Sequence, residues 1–281
     1  MESTNKNPNP KSQRFYTGMV LFLLLKTTFL QAAEPSPNAK LQQAPTPELI
    51  MNDDYWPPYA FGGREGHPKG FIKEIVERCA PSTGYKINFV PYPIARTRAF
   101  MESGVIDFHV YSYDKARESF LNYGTEPLFT SAYQPAVRAA SEIKIDSIAD
   151  FDPLRMGGLL GLVYTPEFKK YIDDRAAKGR YDVTDQEAVN IIKLMNNRID
   201  VFVNHKNTIL WFAGQQGYRD RVKVLDYVVK RANYFVSLSK KSPRLQGEEA
   251  TRFLASMDSC IRQLKSTSFY QQLTEKYHIE E

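Results

Sequence analysis

The ten residues Met101-Glu-Ser-Gly-Val-Ile-Asp-Phe-His-Val110 decide the fold. Ile94 to Ser103 reads as a helix and Gly104 stops it. Val105 to Val110 then has the β-branched and aromatic character of a strand. A helix that turns at once into an apolar strand is the joint of an α/β layer. A second joint of the same kind stands at Met195-Asn-Asn-Arg-Ile-Asp200-Val201. Each is a helix, a tight turn and a strand that begins Ile-Asp. The match is weak as sequence. As architecture it implies two lobes of similar construction.

The flanks of the first joint complete one layer. Glu48 to Met51 is short and apolar and runs into the turn-like Asn52-Asp53-Asp54. Tyr55-Trp-Pro-Pro-Tyr59 is a rigid aromatic loop, because its two prolines bar it from a helix interior or a central strand. After Gly70, residues Phe71, Ile72, Ile75, Val76 and Cys79 share one face of an amphipathic helix. Lys86 to Tyr92 is a strand by composition. Around the second joint, Arg155 to Leu160 is a short strand, and Thr165 opens a helix with Pro166 at its first position. Thr184 and Glu187 form a capping-box pattern that opens another helix, with Val189, Ile192 and Met195 turned inward. Ile199 to Val203 is the strand that follows.

The order strand, helix, strand predicts parallel sheets. Ligands of open α/β sheets bind beyond the carboxyl ends of the strands. The chemistry is therefore expected at Asp53–Tyr59, His109–Arg117, Gly161–Tyr164 and Asn204–Lys206.

Charge excludes one class of partner. The chain carries 37 Lys and Arg against 32 Asp and Glu, a net +5. Residues 1–33 hold Lys6, Lys11, Arg14 and Lys26 against Glu2, so the remainder is close to neutral. That leaves no electrostatic footprint for nucleic acid. The same N-terminal residues read as a signal peptide. A basic segment precedes the apolar run Phe15 to Leu25, and a small-residue cleavage site ends at Ala33. Lys26 interrupts the apolar run, which is too short to span a bilayer. The mature protein is expected to be periplasmic, with a Pro- and Gln-rich linker over 34–45. Cys79 and Cys260 match no metal or redox spacing. They are either a disulfide, which an oxidising compartment permits, or two buried thiols. No metal and no cofactor is expected.

Several stretches resemble the periplasmic solute-binding proteins of family 3, the type II class that serves polar amino-acid uptake. They are Tyr55-Trp-Pro-Pro-Tyr-Ala-Phe61, Gly70-Phe71, Gly104-Val-Ile-Asp107, Asp114-Lys-Ala-Arg117 with Tyr123 and Pro127-Leu128, and Asn233 to Lys240. Leu273 to Tyr277 resembles the family's ending, and Pro93-Ile-Ala-Arg96 is similar to a motif of a poorly characterised subgroup. The resemblance spans about residues 46–278. It implies a two-lobed type II binding-protein fold whose chain crosses twice between lobes. Lobe 1 is then 46–134 with 234–281, and lobe 2 is 135–233. Both cysteines fall in lobe 1. The resemblance further implies a small-molecule ligand, an inner-membrane permease or receptor as partner, and a monomer.

On the same resemblance, Arg117 holds the ligand's carboxylate through a two-pronged guanidinium contact. The alternative is a surface ion pair with Asp114 or Glu118. Ser112 would bond the ligand, Trp56 would wall it, and Asp53 would meet a cationic ligand or else cap a turn. In lobe 2 the residue five after Asp200 is an Asp in the family's amino-acid binders, where it holds the ammonium. Here it is His205, preceded by Asn204. A neutral imidazole supplies no counter-charge, so either another acid takes over or the ligand is not a standard α-amino acid. Gly161 and Tyr164 bound a loop whose backbone N–H groups can face an anion.

Two other roles remain open. His109 and His205 stand on cleft loops of opposite lobes, a placement that suits acid–base work, but no nucleophile motif accompanies them. A sensory module would use the same fold and the same site.

Overall fold

The computed structural model describes residues 46–62 and 69–280. The expected signal peptide (1–33) and linker (34–45) lie outside the described residues. The strands are β1 Glu48–Asn52, β2 Lys86–Val90, β3 Phe108–Ser112, β4 Leu121–Arg138, β5 Met156–Leu159, β6 Tyr181–Thr184, β7 Val201–His205, β8 Val222–Val224 and β9 Lys230–Ser239. The helices are α1 Phe71–Thr83, α2 Ile94–Ser103, α3 Pro166–Ala177, α4 Glu187–Met195, α5 Lys206–Gln215, α6 Gly247–Lys265 and α7 Ser268–Tyr277. Among the described residues no helix is long and apolar enough to cross a membrane.

The sheet order is β2-β1-β3-β9-β4-β7-β5-β6, with β8 also on β4. β1 runs parallel to β2 and β3, and β5 runs parallel to β6 and β7. β9 is antiparallel to β3, β4 is antiparallel to β7, and β4 and β9 pair with each other. The two halves are therefore built alike: three parallel strands plus one antiparallel strand, β9 in the first and β4 in the second. The apolar interior is divided accordingly. One core gathers Leu49, Phe71, Ile75, Phe108, Val236, Phe253 and Tyr277. A second gathers Val137, Phe151, Met156, Phe168 and Val201 on one face of the other half, and a third gathers Ile191, Leu194 and Phe202 on its opposite face.

The Ile-Asp repeat has a common physical cause. The Asp107 carboxylate accepts from Ile50 N at 2.7 Å, and Asp107 N donates to Ile50 O at 3.0 Å. The Asp200 carboxylate accepts from Arg155 N at 3.0 Å, and Asp200 N donates to Arg155 O at 2.8 Å. Each Asp thus closes the backbone of the neighbouring parallel strand just before its own strand starts. The turn before it needs Gly104, whose φ is +80°. Any Cβ there would collide with the Lys241 carbonyl, so both conformation and space select glycine.

Helix α1 buries Phe71, Ile72, Ile75, Val76 and Cys79, the face its periodicity predicts. Cys79 is bonded to Cys260 of α6, with Cα atoms 5.6 Å apart. Of the two readings left open by the sequence, the structure takes the disulfide. Thr165 caps α3 by accepting from Phe168 N, with Pro166 in the first turn, also as predicted.

Three expectations need correction. The strand after Gly104 begins at Phe108, because Asp107 is held by Ile50. Thr184 does not cap α4: it ends β6, a strand the sequence reading missed, and its Oγ1 accepts from Gln186 N in a local turn. Helix α4 starts at Glu187 and buries Ile191 and Leu194, whereas Ile192 is 46% exposed. The buried face is Asn190, Ile191, Lys193 and Leu194, one position round from the expected one.

Candidate functional site

The carboxyl ends of β1, β3, β5 and β7 gather the predicted residues. On the first half, β3 ends at Ser112, and a short 3-10 turn over Lys115–Ser119 follows. Asp114 caps that turn by accepting from Ala116 N at 3.0 Å. The turn aims Arg117 back at the strand end. Its Nη1 donates to Ser112 O at 3.0 Å and to Ser112 Oγ at 3.3 Å, and its Cζ lies 4.9 Å from the Tyr111 ring centre. The expected alternative partners are occupied elsewhere: Asp114 caps the turn and Glu118 accepts from Tyr113 OH. Arg117 makes no ion pair among the described residues. A half-buried guanidinium that is oriented and has no carboxylate partner presents a donor fork that an anion could take.

Asp53 is differently placed. Its Oδ1 accepts from Lys73 Nζ at 2.7 Å in a largely buried ion pair on α1, with the ammonium over the Phe89 ring. The structure brings Asp53 to Lys73. Next to it Asp54 accepts from His109 Nε2 at 2.8 Å, and both are buried.

Trp56 joins the two halves. Its ring centre lies 4.5 Å from Tyr59, 5.3 Å from Tyr234 and 5.0 Å from His205. The Pro57–Pro58 bond of its loop is cis. His205, the last residue of β7, is enclosed. Nδ1 sits 2.6 Å from Ser131 Oγ, Nε2 sits 3.2 Å from Tyr234 OH, and Tyr133 packs on the ring at 4.0 Å. Burial, and then the charge of Lys230, push its pKa down to about 3, so the ring is neutral. His109 and His205 are held by different partners, and the structure does not bring them together.

Asn204 faces the other side of β7. Its Nδ2 donates to Glu187 Oε1 at 3.3 Å, and its Oδ1 accepts from His205 N at 2.7 Å. Burial lifts the Glu187 carboxyl to about 7 against that hydrogen bond. Tyr164 is a packing residue whose OH donates to Val203 O at 2.9 Å. Gly161, in the loop after β5, is exposed with φ +87°.

Sequence reasoning passed over Ser131, Tyr133, Glu187, Lys230 and Tyr234. Lys230 Nζ donates to Val163 O at 2.8 Å and lies over the Tyr133 ring at 5.7 Å. Lys230, Ala232 and Tyr234 alternate along β9 and pair with Tyr133, Ser131 and Phe129 of β4. A period of two along the return strand was the signal for them. Glu187 was hidden by its apparent capping role.

The family model described as bacterial extracellular solute-binding proteins, family 3, matches residues 49–280. Among solved structures, a mutant of ArgBP from T. maritima is 20% identical, with a TM-score of 0.63 over 83% of this chain and 96% of that one. A histidine kinase sensor domain with similarity to periplasmic binding proteins is 16% identical, with a TM-score of 0.63 over 82% and 95%. An ancestral amino acid-binding protein, described as a precursor of cyclohexadienyl dehydratase, is 18% identical, with a TM-score of 0.62 over 82% and 95%. At these identities the likeness is one of fold. No curated protein matches the sequence significantly. The match over residues 49–280 carries the assignment: the chain belongs to the bacterial extracellular solute-binding proteins of family 3.

Proposed function

We propose that this protein closes on a small polar ligand bearing a carboxylate, an amino acid or a relative of one, in the periplasm and presents it to an ABC-type permease. The observation that carries the reading is Arg117, held by Ser112 and Tyr111 and free of any ion pair among the described residues. Lobe 1 takes the carboxylate on Arg117 and Ser112 against Trp56. Lobe 2 then closes with Asn204, His205 and the Gly161 loop, the motion being taken up where β4 and β9 cross between the lobes near 134 and 234. Neutral His205, bonded through both nitrogens to Ser131 and Tyr234, lines the site without supplying a counter-charge.

The test is calorimetric titration of the protein and its Arg117→Ala variant with carboxylates, amino acids and short peptides. The wild type should bind one class, and the variant should lose that binding with its unfolding temperature unchanged. Undiminished affinity in the variant removes Arg117 from the site. A sensory role is the second reading, supported by the likeness to a histidine kinase sensor domain. Deleting the gene separates the two: loss of ligand uptake supports transport, and loss of a ligand-dependent transcriptional response supports sensing.

A further inference from the structure

The cleft holds a second cation without a counter-ion. Lys230 begins β9, and its ammonium is fixed by Val163 O at 2.8 Å and by the face of Tyr133. It makes no ion pair among the described residues. Val163 belongs to the loop after β5 and Tyr133 packs on His205, so the ammonium stands at the ligand-facing end of the second half. Burial and then the charge of Arg117 push the Lys230 pKa below its ordinary value, with Asp114 opposing. Two cations on opposite halves therefore feel one another across the gap.

The acids nearby do not cancel them. Asp114 caps its own turn, Asp53 belongs to Lys73, and Asp54 belongs to His109. Glu187 faces Asn204. Holding two like charges together in a half-buried cleft costs free energy that a doubly charged anion would return.

We infer that Lys230 is a second anion-binding residue and that the ligand is a dicarboxylate, with one carboxylate on Arg117 and the other on Lys230. This rests on the carboxylate-binding reading of Arg117. Ser112 pairs with Tyr234, and Lys230 lies four residues earlier on the same strand. The strand position that faces Ser112, the residue that holds the Arg117 guanidinium, is thus about 13 Å along the backbone from Lys230. With both side chains reaching into the gap and a charge-assisted hydrogen bond at each end, a dicarboxylate of medium length such as glutarate is the probe for the pair. His205, neutral and bonded through both nitrogens, gives an amine on the ligand no charged partner.

The experiment is calorimetric titration of the protein with glutarate, glutamate, glutamine and butyrate, repeated on Lys230→Met, Lys230→Arg and Arg117→Ala. Glutarate should bind at least about tenfold more tightly than butyrate. Lys230→Met should weaken glutarate by about tenfold or more and leave butyrate unchanged, while Lys230→Arg should retain the preference. Glutarate binding should weaken more steeply with salt than butyrate binding, a readout on the wild type that stands even if Lys230→Met fails to fold. Equal affinity for glutarate and butyrate, with both lost in Arg117→Ala, overturns the inference and leaves the carboxylate reading intact. A preference for glutamine, which has a single carboxylate, over both glutarate and glutamate also overturns it. Binding of none of these probes removes the inference and the carboxylate reading together.

Discussion

The two halves of the sheet share a scaffold and differ in their chemistry. Asp107 and Asp200 each clamp the backbone of the adjacent parallel strand, Ile50 in one half and Arg155 in the other. At the strand ends the likeness stops. The first half presents Arg117, charged and unpaired, whereas the second presents His205, neutral and enclosed. What recurs is what a strand junction demands of any sequence. What differs is what a ligand would meet.

The two Asp residues also differ in setting, which gives the largest expected effect. Asp107 is fully buried and bonded to Ser242 and Arg244, whereas Asp200 is partly solvated between Arg138 and Arg155. Asp107→Ala should cost about 3–5 kcal/mol, because it strands buried donors. Asp200→Ala should cost about 1–2 kcal/mol, since water reaches the groups left behind. Urea unfolding of both variants measures the gap, and equal costs would break the idea that burial separates the two junctions.

Next comes the disulfide, which belongs to the first half alone. Replacing both Cys79 and Cys260 by Ala should cost about 3 kcal/mol. Amide exchange should rise along α1 and α6 while β5 and β7 keep their protection. Uniform loss of protection would mean that the halves unfold as one unit.

The second half carries its own pH signature. Burial raises the Glu187 carboxyl to about 7, so the fold favours its protonated form. Stability from this group is fully present below the ordinary carboxylate value of about 4.5 and is lost as pH rises through about 7. Glu187→Gln should therefore be more stable than wild type by about 1–2 kcal/mol at pH 8 and equal to it at pH 4. Thermal unfolding at the two pH values decides, and a difference that does not change with pH would assign the effect to packing. The smallest effect is at Ile192. Although apolar and helical, it is exposed, and Ile192→Lys should shift stability by no more than about 0.5 kcal/mol.

The sequence yielded the α/β layers because helix-stop glycines and apolar runs are local signals. α1, with its single apolar face, and α3, with its Thr-Pro start, were legible for that reason. β6 was missed because it is four residues long, of mixed polarity, at a sheet edge. β4 was hidden by Gly124 and Pro127, which lie at register shifts, where Asp258 of α6 accepts from Thr125 N and Glu126 N. The site was legible where one chain segment contains it: Ser112, Asp114 and Arg117 lie within six residues. It was illegible where partners come from afar. Nothing near Asp53 announces Lys73, and Lys230 reads as an ordinary strand-opening lysine until Val163 and Tyr133 are seen beside it.

The Cys79–Cys260 bond spans 181 positions of sequence, and β5, β6, β7 and β8 all lie inside that span. Covalently, the chain is a ring with two tails. A single protease cut anywhere in that ring leaves one molecule, which migrates as two fragments only after reduction. A protein with exposed loops in its second half can thus be nicked there and still keep α1 tied to α6. Its first half would remain assembled around Arg117 although the backbone of its second half had been cut.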